Sequence, residues 1–266
     1  MRGGLLVLSI AITAGGCDAL FGLDSIHTGD DASVLDGKRA DAAPPADASC
    51  APQGQVQMTI LGAGAGGMGQ ASMEDTHLIA SHNSTNYGAA ETLALCNGCN
   101  AGSGDPWNGS ISVVLLRFDI SAICPGSTIV SATLQVTTTN DELGSGEVGV
   151  FTVLEAWDEG DGPADGAIKA ASWDDRKPNM SWTNKGAGSP TSHDPMVLAT
   201  FSPQTAHRPY PLVIPPPVVK KWLDMPATNF GFEIAITSGN SDTQFVSREG
   251  SPDTERPVLR VTSIAP

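Results

Sequence analysis

The sequence predicts an all-β fold, an antiparallel jelly-roll-like β-sandwich, from three observations. Apolar and polar residues alternate with a period of two in several short segments, which is typical of strands that bury one face. The chain of 266 residues contains 30 Gly and 19 Pro, and these residues favour turns over long helices. Helical character is limited to one short segment, 218–223. Short strands separated by frequent turns are typical of a sandwich.

The predicted strands follow one another from residue 55 to the C-terminal region. In one of the clearest, Val114, Leu116 and Phe118 share one face. The segment 147–155 is apolar on both faces, as a central strand would be. In chain order the predicted strands are 55–61, 76–80, 111–119, 128–137, 147–155, 196–201, 230–237, 244–247 and 258–262.

One domain, residues 50–266, accounts for these strands. The segments 97–110 and 158–195 show no clear alternation, and we expect them to be long loops. The glycine run 62–67 formally matches a dinucleotide-binding fingerprint. That fingerprint requires a helix directly after the glycines, whereas another strand follows here, so the run is interpreted as a flexible loop.

The N-terminus predicts export. A basic Arg2, the apolar run 5–12 and the small residues 14–16 have the layout of a cleaved signal peptide, residues 1–16. The apolar run is too short to cross a bilayer, which takes about 20 residues. Cys17 follows as in a bacterial lipobox, although Ala14 stands where Leu is commonest. We expect Cys17 to be the lipid attachment site; the alternative is an ordinary secretory signal.

The segment 17–49 predicts a disordered acidic tether after the lipidated cysteine. It contains seven Asp residues but only Lys38 and Arg39 as basic residues, and it is rich in Ala, Ser, Gly and Pro. Such a composition cannot bury enough apolar surface to offset the entropy lost on ordering. We expect it to hold the domain away from the membrane in an exported, lipid-anchored protein of the cell envelope or cell surface.

The remaining four cysteines predict two disulfide bonds, because an even set in an exported protein is normally oxidised. The preferred pairs are Cys96–Cys99 and Cys50–Cys124. Cys96 and Cys99 could instead form a redox pair, or half of a zinc site completed by His77 and His82.

The formal net charge of −15 argues against nucleic acid as a partner, because phosphate backbones repel such a surface. It also argues against polyanionic glycans unless a local basic patch exists. We expect a monomer whose only contact with the membrane is the lipid anchor.

Short sequence motifs in and near the predicted strands resemble those of the DNRLRE domain, also described as carbohydrate-binding module family 96. The resemblance covers about residues 70–265. That resemblance implies a jelly-roll-like sandwich on a secreted or cell-surface protein, and polysaccharide as the ligand. The motifs are Asp75-Thr76-His77-Leu78-Ile79, Leu115-Leu116-Arg117-Phe118-Asp119-Ile120, Val219-Lys220-Lys221-Trp222, Asn229-Phe230-Gly231-Phe232, Ser247-Arg248-Glu249 and Arg256-Pro257-Val258-Leu259.

The aromatic residues best suited to a sugar site are Trp107, in a predicted loop, and Tyr210, among prolines, because exposed aromatic rings mark contact sites. The other four tryptophans fall on positions that the family pattern also fills, and we expect them in the core. Arg117 and Arg248 lie in strand-like segments, where a buried charge must be paired. The sequence neighbours Asp119 and Glu249 should point to the opposite faces, so other residues should pair with these arginines.

No cofactor is predicted with certainty. A structural Ca²⁺ could be held by Asp75, Asp119 or the acidic segment 158–161, since calcium takes several oxygen ligands. The preferred function is a non-catalytic module that binds extracellular or cell-wall polysaccharide. The alternatives are a structural or adhesive envelope protein that binds other proteins, and a polysaccharide-degrading enzyme.

Overall fold

Thirteen β-strands, in the residues described below, build an antiparallel β-sandwich, which confirms the predicted fold class. The computed structural model describes residues 50–98, 109–139, 146–162, 170–240 and 242–266, within one compact unit, Ala46–Pro266. In chain order the elements are β1 (Val56–Gly62), β2 (Met73–Ile79), β3 (Thr92–Asn97), β4 (Ile111–Phe118), β5 (Thr128–Thr137), β6 (Glu147–Thr152), β7 (Asp175–Lys177), β8 (Met180–Ser181), β9 (Ala199–Phe201), β10 (Pro209–Ile214), α1 (Pro216–Asp224), β11 (Phe232–Ser238), β12 (Asp242–Val246) and β13 (Val258–Ile264).

Two sheets face each other. Sheet A has the strand order β1-β13-β5-β10, and sheet B has the order β12-β3-β4-β11-β6-β9, with β2 paired to β4. Strands β7 and β8 form a separate hairpin. A single bridge between Thr138 and Phe245 joins the end of β5 to β12, so the two sheets are linked along one side of the sandwich.

The main core lies between the sheets. A row of paired leucines crosses sheet A, with Leu61 opposite Leu259, Leu259 opposite Leu134 and Leu134 opposite Leu212. All four point inward, because residues paired across antiparallel strands lie on the same face. Sheet B contributes the inward side chains of its central strands to the same cluster. These side chains are Val114, Leu116, Phe118, Val148, Val150, Phe232 and Ile234.

The helix α1 closes one end of this core. Pro216 and Pro217 occupy its first positions, where a missing N–H group costs little. Val219 and Trp222 are three residues apart and therefore lie on one face. Both are buried, and the Trp222 ring meets Phe232 edge-on at a centroid distance of 4.9 Å.

The outer face of sheet B carries a second core, which the sequence did not reveal. Leu78, Val113 and Leu115 point to this face and are covered by residues after β6. The expectation that 158–195 is only a long loop is therefore incomplete, because the described part of it includes the β7–β8 hairpin and packs as a third layer. The covering side chains are Val153, Trp157, Ala171, Trp182 and Ala187, with Trp173 partly buried beside them.

The four tryptophans expected in the core have that role. Trp157, Trp182 and Trp222 are buried, and Trp173 packs against the second core.

The outer face of sheet A, by contrast, carries exposed apolar side chains: Val213 is 73 % exposed and Met58 63 % exposed.

The glycine run 62–67 is a packed loop. A side chain at Gly64 would collide with the carbonyl oxygen of Arg256, and one at Gly67 with that of Gly62. Only a short 3₁₀ turn, Gln70–Ser72, separates this loop from β2. The glycines therefore allow close backbone approach. The run is a loop, as predicted, but it packs closely against neighbouring backbone instead of being a flexible one.

The disulfide Cys50–Cys124 is confirmed. Cys96 is disulfide-bonded as well, and Cys99, its predicted partner, lies outside the described residues. Cys17, Trp107 and the tether 17–49 also lie outside them. Within the described ranges, no helix has the length and apolar character needed to cross a membrane.

Candidate binding cleft

A cleft of about 440 Å³ opens where β4 ends. Its size falls in the range of small-ligand sites, which are mostly apolar with a few polar groups. Three parts of the chain supply its walls: the start of β2 with the end of β4, the turn that follows β4, and the end of α1 with the residues after it. The lining residues are Ala71, Met73, Glu74, Arg117, Phe118, Asp119, Ile120, Ser121, Ile123, Pro125, Leu223, Pro226 and Asn229.

The turn after β4 is fixed by short-range hydrogen bonds. The Asp119 N–H donates to the carbonyl oxygen of Ser72 at 2.8 Å, which extends the pairing of β2 and β4 by one residue. The Asp119 carboxylate then accepts the Ser121 N–H at 2.9 Å, a local bond that favours a turn. Local hydrogen bonds of the backbone and of the Asp119 side chain therefore hold this wall of the cleft in place.

The disulfide holds the same turn from the other side. Cys124 lies between two lining residues, Ile123 and Pro125, and its bond to Cys50 joins them to the first residue of the described domain. Asn229 fixes the third wall, because its Nδ2 donates to the carbonyl oxygen of Phe118 at 2.9 Å.

Arg117 is the one basic residue that lines the cleft, and its guanidinium is already engaged. Its Nη2 pairs with Glu74, which lies opposite it in the β2–β4 register. Its Nη1 donates to the carbonyl oxygen of Trp157 at 3.1 Å, and the guanidinium carbon lies 4.9 Å from the centre of a Trp157 ring. The predicted salt bridge of Arg117 is confirmed, with a partner other than Asp119.

The polar groups left available in the cleft are mainly acceptors. Asp119 Oδ2 and Glu74 Oε1 accept no hydrogen bond from any described residue. Asn229 Oδ1 is buried and, within the described ranges, has no hydrogen-bond partner. Ser121 is exposed and can donate its hydroxyl. The cleft therefore suits a ligand that donates hydrogen bonds through hydroxyl or amino groups.

A second group of charged residues surrounds Arg248, outside the cleft. Its Nη2 lies 2.7 Å from Glu159 Oε2, and its Nε lies 2.5 Å from Glu249 Oε1. The expectation that Glu249 points away from Arg248 is therefore wrong. Both residues follow the end of β12, where the backbone bends, so the strand alternation that separates neighbours does not apply to them.

Asp75 completes this group, with Oδ2 accepting the Arg248 N–H at 2.7 Å. Its own N–H donates to Glu159 Oε1 at 2.6 Å. Burial, reinforced by the charge of Glu249, raises the pKa of Asp75 well above its ordinary value. Burial also raises the pKa of Glu159, to about 8. Three carboxyl groups thus surround Arg248, two of them at its guanidinium and one at its backbone N–H. The arrangement retains protons that exposed carboxylates would release.

His193 and Glu233 form a buried pair beneath the third layer. The His193 Nδ1 atom lies 2.8 Å from Glu233 Oε2 and 2.8 Å from the carbonyl oxygen of Ala187. Burial raises the pKa of Glu233 to about 7. Burial alone would lower the pKa of His193, but the hydrogen bond and charge of Glu233 outweigh it and raise that pKa. The pair ties the third layer to β11.

Two residues of the zinc alternative, His77 and Cys96, have structural contacts. His77 is buried and stacks on Tyr87 at a centroid distance of 4.3 Å, and burial lowers its pKa to about 3. Cys96 is disulfide-bonded. Among the described residues, no group of three or more His, Cys, Asp or Glu side chains is arranged to hold a metal ion, and this includes the described candidates for calcium, Asp75, Asp119, Asp158, Glu159 and Asp161.

Tyr210, the described aromatic candidate for sugar contact, lies on the edge strand β10 and not in the cleft. Its hydroxyl accepts the N–H groups of Gln204 and Thr205 at 2.9 and 3.2 Å. Its ring packs against Phe201 at 5.2 Å. Trp107, the other candidate, is not among the described residues.

Glu74 and Asn229 line the cleft, but sequence reasoning did not select them. An available signal was the charge of Glu74, which could form a cross-strand pair with Arg117 if β2 and β4 were neighbours. For Asn229 the sequence offers no comparable signal, because its place in the cleft depends on the position of the segment after α1.

Comparison with known proteins gives no further assignment. No family model matches the chain, and a search of curated proteins finds no match.

Proposed function

We propose that the chain is an exported, lipid-anchored and non-catalytic module. It binds extracellular or cell-wall polysaccharide in the cleft that opens where β4 ends. The cleft is the observation that carries the proposal. Its accessible apolar lining of Pro125, Leu223 and Pro226 suits the C–H faces of sugar rings. The acceptors of Glu74 and Asp119 suit their hydroxyl groups. The resemblance to the DNRLRE domain supports the same assignment.

The first test is to block the cleft. The full chain is titrated with a panel of soluble polysaccharides in calorimetry, and the variant Ser121→Trp is compared with it. We expect at least one polymer to bind and Ser121→Trp to lose it, because a bulky ring at this exposed cleft position fills the space that the sugar needs.

The matched control is Ser131→Trp, since Ser131 is also an exposed serine but lies on the outer face of sheet A. It should bind as the unaltered chain does. Binding that survives in Ser121→Trp would place the ligand elsewhere. New reducing ends released from the polymer would show that the module is catalytic.

The anchor is tested separately with Cys17→Ser. In a bacterial host we expect the unaltered chain in the membrane fraction with a mass increased by acyl chains, and the variant in the soluble fraction. Sedimentation of the soluble variant should give a monomer. Self-association through the exposed apolar face of sheet A would favour the alternative of a protein-binding envelope component.

A further inference from the structure

The charge of the cleft narrows the class of polysaccharide that it can bind. Two carboxylates, Glu74 and Asp119, line it together with one guanidinium, that of Arg117, so the lining residues carry one net negative charge. The nearby helix α1 supplies no compensating charge to the lining: Lys220 is paired with Asp224 at 2.5 Å, and Lys221 is exposed on the helix outside the cleft.

The hydrogen-bonding groups of the cleft also disfavour a negatively charged polysaccharide. Two donors of Arg117 are already used, by Glu74 and by the carbonyl oxygen of Trp157. Glu74 and Asp119 each retain one carboxylate oxygen that accepts nothing from the described residues. A uronic acid would therefore bring a third carboxylate to a site whose one guanidinium is already paired with Glu74, and like charges in a partly enclosed site repel each other.

A protonated amino group has the opposite properties. It offers three donors and no acceptor, and its hydrogen bonds to carboxylates are strengthened by charge. Hydroxyl groups also donate to the same oxygens, but without that charge contribution. A sugar with free amino groups thus matches both the charge and the acceptor excess of the cleft.

We infer that the cleft selects polysaccharides with free amino groups, the amino sugars, over neutral and uronic acid polymers. This inference rests on the proposed function, because it specifies the ligand of the same cleft. Asp119 is the residue that determines the preference. Its Oδ2 is open to the ligand, whereas the carboxylate of Glu74 is shared with Arg117.

The test compares three oligosaccharides of different charge, two of which have the same backbone. Oligomers of β-1,4-linked N-acetylglucosamine, the same oligomers after deacetylation, and oligogalacturonate are titrated into the full chain at moderate salt. The deacetylated oligomer should bind about tenfold more tightly than the acetylated one, and oligogalacturonate should bind most weakly. This order should weaken as salt is raised, because salt screens exposed charge.

A protein of net charge −15 attracts any cation, so the design needs variants matched in charge. Asp119→Asn removes one negative charge from the cleft and keeps an oxygen that can accept the Ser121 N–H. Asp253→Asn removes one negative charge from a side chain that is 77 % exposed and pairs with Arg256 outside the cleft. Thermal melting of both variants checks that they fold.

We expect Asp119→Asn to lose the preference for the deacetylated oligomer and Asp253→Asn to retain it. Equal effects of the two variants would show attraction by overall charge and overturn the inference. Equal or tighter binding of the neutral or uronic acid oligomer would overturn it too, while the proposed function stands. Equally tight binding of tetralysine, lost in Asp119→Asn, would also overturn it, because the site would then recognise amines of proteins. Binding of no saccharide would overturn the proposed function itself.

Discussion

Arg248 lies among three carboxyl groups, of which Asp75 and Glu159 are largely buried. One guanidinium can neutralise only one carboxylate fully, so burial keeps protons on the others and raises the pKa of Asp75 and Glu159. The residues belong to β2, to the third layer and to the bend after β12. Their ionisation therefore affects three parts of the molecule together.

The stability of the protein should fall between pH 4.5 and about 8, and Glu159 is a main reason. Its pKa is 4.5 in an unfolded chain and about 8 in the folded protein, so over this interval the folded state binds more protons. The stabilisation is complete below pH 4.5 and is lost as the pH rises through about 8. Denaturant unfolding at several pH values measures this slope.

The variant Glu159→Gln removes the titrating group, and its slope should be shallower than that of the unaltered chain. Some slope should remain, because Glu233 and His193 also have raised pKa values and contribute with the same sign. A variant with the full slope would show that Glu159 does not titrate in this interval.

At the scale of structural elements, the carboxylate of Glu155 joins separate segments of the third layer. Glu155 accepts hydrogen bonds from the Thr183 N–H, the Thr183 hydroxyl and the Ser192 hydroxyl at 3.0, 2.7 and 2.6 Å. Burial alone would raise the pKa of Glu155, but these bonds and Arg176 lower it. Residues about 30 positions apart are thus held at one point above sheet B.

Glu155→Ala should loosen the third layer and leave the two sheets intact. Hydrogen bonds to a charged group contribute about 1.5–3 kcal/mol, so we expect a loss of that order and faster proteolysis between residues 170 and 195. Mass spectrometry of the fragments locates the cuts. Glu91→Ala, at an exposed position before β3, is the control. Unchanged proteolysis of Glu155→Ala would contradict this role.

The strands that could be predicted are those whose side chains alternate. Strand β5 has its predicted bounds, 128–137, because the side chains on the face that points into the core are apolar. Strand β10 was missed because Pro209 and Pro211 argue against a strand. The structure tolerates them there since β10 pairs only with β5 in the described sheet and prolines are accepted on edge strands. The β7–β8 hairpin has no apolar alternation to detect.

The cleft could be predicted only in part. The sequence indicates that Arg117 needs a partner if its side chain faces inward, because a buried charge must be paired. It does not indicate Glu74, since the choice depends on which strands are neighbours and on their register. The residues that enclose the cleft come from three distant segments, and their spacing along the chain contains no information about the space between them.

At the scale of the whole molecule, the Cys50–Cys124 bond joins residues 74 positions apart. A cross-link over such a loop stabilises the fold mainly by restricting the unfolded chain. It also holds the turn 119–125, which forms one wall of the cleft. The stability of the fold and the position of one cleft wall therefore depend on the same covalent bond.

The double variant Cys50→Ser, Cys124→Ser should lose about 2–5 kcal/mol of stability and bind its ligand more weakly. Guanidinium unfolding and calorimetry on the same samples measure the two effects. Loss of stability without loss of affinity would show that backbone hydrogen bonds alone keep the cleft wall in place.

The position of this bond also determines how the domain would carry mechanical force. Tension that arrives along the chain before Cys50 enters the domain at a cysteine bonded to Cys124, beside Ile123 and Pro125 of the cleft. The covalent link transmits the load directly to the cleft wall. Strand β1, which follows Cys50 and pairs with β13, is spared from being peeled off the sheet. A polymer held in the cleft would thus pull against a covalent path, and the hydrogen-bonded edge of the sandwich would stay unloaded.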